Sequence, residues 1–211
     1  HMSGMLVLGV LIYLLMRQTG HYHVEGVGYA TIQGVLSGTL NSFWLLLLLF
    51  ALKLFATSLT LGSGASGGVF SPSLFLGATL GSAYGILLQH LFPGAEISPP
   101  AFAVVGMAGI VGGATGAAIT GIVMIFEMTL DYGVVVPMTI TVAIAYGVRK
   151  MLSNESIYTL KLARRGHRMP SAMQANIQYM KPARDLKHAG IVRLPPSMTL
   201  PELALTLTSY P

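Results

Sequence analysis

"GSGASGGVFSPSLFLG", residues 62–77, is a Gly/Ser-rich stretch followed by Val69-Phe70 and then by Pro72. Backbone with so little side chain is ordinarily surface loop. Here it stands between two long apolar runs, "SFWLLLLLFALKLFATSLTL" (42–61) and "FSPSLFLGATLGSAYGILLQHLF" (70–92). Each is about the 20 residues that a membrane-spanning helix needs. A third run of that kind, "VVVPMTITVAIAYGVRKML", covers 134–152. The opening "HMSGMLVLGVLIYLL" has no small-residue cleavage site after it, which argues against a signal peptide and for the end of a further span.

Composition agrees. Of 211 residues, 9% are charged and 53% hydrophobic, and the mean hydropathy is +0.69. Soluble domains carry about 25% charged residues, so the pattern predicts a polytopic, all-α membrane protein. Ten of the 12 Lys and Arg lie at or after Arg149, and none stands between Lys53 and Arg149. Basic residues collect on the cytoplasmic side, so Lys161, Arg164, Arg165 and Arg168 predict a cytoplasmic C-terminal region. The net charge of +5 is read as this orientation. A nucleic-acid partner is not implied, because no basic face interleaved with contact residues is present. With no Cys, disulfides and thiolate metal sites are excluded within this chain.

The stretch at 62–68 satisfies G-x-G-x-x-G at Gly62, Gly64 and Gly67. A dinucleotide site would need a short strand before it and an acid about 20 residues on. The run before it is too long for a strand, and the next acid is Glu96, in a Pro/Gly-rich join. A phosphate-binding P-loop would need a Gly-Lys-Ser/Thr step, and no lysine is there. The stretch reads instead as a break between two helices. A helix opening near Phe70 tolerates Pro72 in its first turn, where the missing N–H would be unused. Its first amides have no intrahelical partner. In hydrocarbon they must face protein, water or a ligand, and a helix N-terminus favours an anion. Gly67 and Gly68 would let the backbone turn and come close. The plainer alternative is a glycine hinge that lets two helices pack.

Other glycines recur every four residues: Gly77, Gly81 and Gly85, then Gly109 with Gly113 and Gly112 with Gly116. Such faces allow close helix packing in lipid, and "GGATG" (112–116) predicts that the run 101–127 splits into two short helices. Lys53, inside an apolar span, is expected to snorkel or to pair with a carbonyl. Glu127, an ionisable group at the end of an apolar run, is a functional candidate by default, but capping or pairing near a helix end is the role expected of it. His21 and His23 beside Glu25 are read as a solvent-facing join rather than a metal site. No hydrolytic triad, paired carboxylates or H-E-x-x-H motif is present, so the chain is not read as an enzyme, and no cofactor is expected. From about Ile177 the composition becomes that of a soluble domain, with "IVRL" as a strand and "MTLPELALTL" as a helix entered through Thr199.

Residues 62–77 then resemble the G-x-F-x-P signature of the CLC chloride channels and proton-coupled chloride transporters, with Gly68, Phe70 and Pro72 in the named positions. "GAAITGIVMIFEMTLDY" (116–132), "SIYTLKLARRG" (156–166) and "EGVGYATIQGVLSG" (25–38) are similar to later and earlier CLC segments, in the family's order. The tail resembles the start of a CBS domain. The resemblance implies that the backbone amides of Val69 and Phe70 and the hydroxyl of Tyr158 hold a chloride-like anion. By itself Tyr158 would be read as an interfacial tyrosine.

It implies a homodimer that uses late helices, in part within 102–151. It further implies a multi-pass protein of a prokaryotic plasma membrane. Residues 1–170 would be the second half of a two-half membrane domain. Residues 171–211 would be a linker and a truncated CBS-like β/α start, able to bind adenine nucleotide once complete. The family's gating and proton-transfer glutamates lie in the half that is not matched, so passive and proton-coupled transport of anions both stay open. The competing expectation is a non-transporting anchor for a nucleotide-sensing domain.

Overall fold

The structure, a computed structural model, describes residues 2–153, 155–166 and 199–201. The chain falls into two units, His1–Gly166 and His167–Pro211. Of the second, Leu200 and Pro201 are helical. The strand expected at "IVRL", the basic residue Arg168 and most of the CBS-like segment lie outside the described residues, as does the side chain of Lys161.

Among the described residues the first unit has eight α-helices, and no strand is present. In chain order they are α1 (Met2–Thr19), α2 (Tyr29–Leu36), α3 (Phe43–Gly62), α4 (Phe70–Leu91), α5 (Pro99–Thr115), α6 (Ala118–Thr129), α7 (Val135–Leu152) and α8 (Leu160–Arg164). A short 3-10 turn, Tyr132–Val134, leads into α7. Among the described residues, three segments are long and apolar enough to cross a membrane: Phe43–Gly62, Phe70–Leu91 and Tyr132–Leu152. They coincide with the apolar runs of the sequence. The others are shorter. At 1.5 Å per residue, α5 reaches about 26 Å, less than the roughly 30 Å of a hydrocarbon core.

The run 101–127 does split. Gly116 adopts φ 78, and its N–H donates to the Gly112 carbonyl at 3.1 Å. That left-handed cap ends α5 where a glycine meets no Cβ penalty, and α6 begins two residues on.

Helix α5 is the centre of the unit, packed between α4 and α7, while α3 covers another side of α4. The glycine faces are what permit this. A Cβ on Gly77 would lie against the backbone of Gly106 and Met107, and one on Gly85 would come within 2.8 Å of Pro99 Cα. On the opposite side of α5, a Cβ on Gly112 would come within 2.7 Å of Val142 Cγ1, and one on Gly109 within 2.9 Å of Thr141 Cγ2. Small residues therefore bring backbone to backbone along α4–α5 and backbone to side chain along α5–α7, which supplies packing where lipid gives no hydrophobic drive between helices. Leu46 and Leu49 of α3, Leu74 and Phe75 of α4, Met107 of α5 and Met138 of α7 fill the interior. Outward faces stay apolar: Trp44 is 78% exposed and Ile144 62%.

Candidate anion-binding site

Helix α3 does not run into α4. Its end forms a Schellman motif: Gly64 sits at φ 79, its N–H donates to Leu61 O at 3.1 Å, and the Ala65 N–H donates to Thr60 O at 3.2 Å. These two bonds close the last carbonyls of the helix. The sharp reversal thus belongs to Gly64. Gly67 and Gly68, which the sequence suggests for that role, are exposed and have no left-handed φ. Their contribution is emptiness: a Cβ on Gly68 would meet nothing within 4 Å, and one on Gly67 would touch only Thr60 and Leu61 of α3.

Helix α4 opens at Phe70 with Val69 as its N-cap, at φ -99 and ψ -17, and no side chain caps it. The first closing bond runs from the Ser73 N–H to Val69 O at 3.0 Å, and the Ser73 hydroxyl donates to the same carbonyl at 2.7 Å. Ahead of that bond, the amides of Val69, Phe70 and Ser71 make no hydrogen bond among the described residues. Pro72 stands in the first turn, where it removes an N–H that had no carbonyl to reach. The half-buried residues 69–72 therefore present, at the positive end of a helix dipole, three donors without a partner among the described residues.

Beside this start lies a cavity of about 600 Å³, walled by α1, the segment 24–27, α3, residues 66–68 and residues 71–72, while Val69 and Phe70 do not line it. Gly67, Gly68, Ser71 and Pro72 line it, and so do Lys53 and Glu25. Lys53 is 3% exposed. As expected of a lysine in a span, it pairs with carbonyls, donating to Val24 O at 2.9 Å and to Gly26 O at 2.7 Å.

Tyr158 is elsewhere. It sits in the turn before α8, 56% exposed, and does not line that cavity. The turn is fixed by Ile157 N–H donating to Ala114 O at 3.0 Å, which ties it to the end of α5. The Ser156 N–H also donates to Thr159 Oγ1 at 2.9 Å. The phenol hydroxyl has no partner among the described residues.

Two sequence expectations change. His23 is not solvent-facing: it is buried, with Nδ1 3.1 Å from the Thr31 hydroxyl, which in turn donates to His23 O at 3.1 Å. Burial first, and His21 second, lower its pKa from 6.5, so the ring is neutral near neutral pH. Glu127 is exposed on α6 and neither caps a helix nor pairs with a cation among the described residues. No group of three or more metal-ligating side chains comes together among the described residues.

Broken apolar helices, a glycine-packed interior and a helix start with free amides define a class: helical membrane proteins built around interrupted spans. The particular family follows from comparison. A family described as voltage gated chloride channel matches residues 2–150, and the chain belongs to it. A putative chloride channel protein ClcB-like of Ralstonia nicotianae is 42% identical over 144 residues, 67% of this chain and 33% of the relative. The H(+)/Cl(-) exchange transporter ClcA of Yersinia pestis is 36% identical over 144 residues, 68% of this chain and 30% of the relative. A crystal structure of a slow cyanobacterial Cl-/H+ antiporter superposes with a TM-score of 0.55 at 32% identity, over 62% of this chain and 31% of the other. The chain thus spans 30–33% of the length of these curated relatives.

Proposed function

We propose that the full-length protein carries chloride-like anions across a membrane, with the ion held by the amides of Val69 and Phe70 and by the hydroxyl of Tyr158. The observation that carries this reading is the start of α4, whose first amides have no partner among the described residues and whose first turn lines a cavity through Ser71 and Pro72. A helix end contributes roughly 0.3–1 kcal/mol, and up to ~2 kcal/mol when partly buried. Passage requires binding favourable enough to admit the ion and weak enough to release it, and backbone donors lie in that range. The relatives named above include a putative channel, an exchange transporter and an antiporter, so passive and proton-coupled transport are both kept. We place residues 171–211 as a linker and the truncated start of a cytoplasmic CBS-like domain, on the soluble composition from about Ile177 and the resemblance of the tail to the start of such a domain.

Tyr158 supports the reading through chemistry: a neutral phenol donates one hydrogen bond without the strong hold of a fixed cation. Removing that donor in full-length protein, by Tyr158→Phe, is expected to weaken chloride binding or alter ion coupling while the protein stays folded. Loss of one bond to a charged partner corresponds to about 1.5–3 kcal/mol. Unchanged chloride affinity and flux in liposomes would remove Tyr158 from the site.

Pairing of two copies through late helices is supported by α7. Val136, Ile140, Ile144 and Val148 recur every four residues and are all exposed, from 50% to 67%, so they form one apolar stripe. Light scattering of detergent-solubilised full-length protein is expected to give the mass of a dimer. A monomer mass would refute the pairing.

A further inference from the structure

A lysine in the middle of a span is costly to place and is a functional candidate by default. Lys53 is held by three features at once. Its ammonium donates to Val24 O and Gly26 O and stands 5.1 Å from the centroid of the Phe75 ring. The carbonyls belong to a strap, residues 24–28, and the ring belongs to α4 one turn beyond its start. The strap is tied to α4 in two further places. Ser71 Oγ, in the first turn, donates to Val27 O at 3.4 Å. Gly28, at φ +79, lies so close to Phe75 that a Cβ there would come within 2.6 Å of the ring.

No carboxylate cancels the charge among the described residues. Glu25 shares the cavity wall but is exposed and makes no ion pair. Lys53 thus lines the same cavity as Ser71 and Pro72 of the first turn of α4, with its ammonium held by two carbonyls.

Resting on the reading of those amides as anion ligands, we infer that Lys53 is a positioning residue of the site. It clamps the strap 24–28 to α4, and its fixed charge raises the affinity of the α4 amides for an anion that it does not itself bind.

Isothermal titration of chloride into full-length protein, with Lys53→Met and Lys53→Arg, tests this. Lys53→Met keeps length and apolar stem but loses charge and donors, and its chloride Kd is expected to rise about tenfold. Lys53→Arg restores both and is expected to stay within about threefold of wild type. A merely architectural role would lower the titrated stoichiometry, as protein unfolds, and leave Kd unchanged; that result overturns the inference. Should Lys53→Met fail to fold, Ser71→Ala decides, since it removes one tie of the strap to α4 with Lys53 in place. A Kd about threefold weaker is expected, and an unchanged Kd overturns the inference. Wild-type protein that binds no chloride would overturn the site reading itself, an outcome distinct from either of these.

Discussion

Replacing Gly81 by alanine is expected to unseat α4 from α5, with a loss of roughly 2 kcal/mol or more of stability. The added methyl would lie on the carbonyl oxygen of Phe102 and only 3.1 Å from Ala103 Cα. These are backbone atoms of a helix, so no rotamer change relieves the contact. The crossing is tight from the other side too, where a Cβ on Gly106 would meet Gly77 O and come within 3.1 Å of Gly81 Cα. To admit the methyl, the helices must move apart, and every contact along the crossing weakens together. Gly147, in α7, provides the contrast, because a Cβ there would meet nothing within 4 Å. Alanine there gains up to about 1 kcal/mol of helix propensity. Thermal unfolding of the two variants in full-length protein should thus shift in opposite directions. A Gly81→Ala protein as stable as wild type would mean that α4 and α5 do not meet through these glycines.

Much of this was legible from residues close together in the chain. The spans at 43–62 and 70–91 are visible because each is a long apolar run bounded by small or polar residues. The break at Gly116 is visible because glycine is the residue that ends a helix in the left-handed region. The start of α4 is visible because Pro72 suits a first turn and no interior one. What escaped depends on contacts or angles that spacing does not encode. Gly64, Gly67 and Gly68 look alike in sequence, and only φ separates the residue that turns the chain from the two that leave it bare. His23 is buried by Thr31, eight residues on. Lys53 is paired with carbonyls 29 and 27 positions away, so a carbonyl partner was foreseeable and its identity was not. Tyr158 and the α4 amides share no wall of the cavity beside α4, and no local pattern joins them.

The second large effect concerns the donor at Phe70. A side-chain change there leaves the amide in place, so the informative substitution is in the backbone. Replacing the Val69–Phe70 amide by an ester removes one N–H and keeps the ring. That N–H has no acceptor among the described residues, so no hydrogen bond of the nitrogen to them is lost. The Val69 carbonyl, which receives both Ser73 donors, becomes a weaker acceptor, and its effect appears in thermal stability rather than in the ligand. A hydrogen bond to a charged partner is worth about 1.5–3 kcal/mol, which is roughly a 10- to 150-fold change in affinity. The most direct measurement is a chloride titration of full-length protein carrying this ester at Phe70, beside the all-amide protein. A chloride Kd at least about tenfold weaker, with the protein still folded, is the predicted result; an unchanged Kd would contradict an anion held by the start of α4.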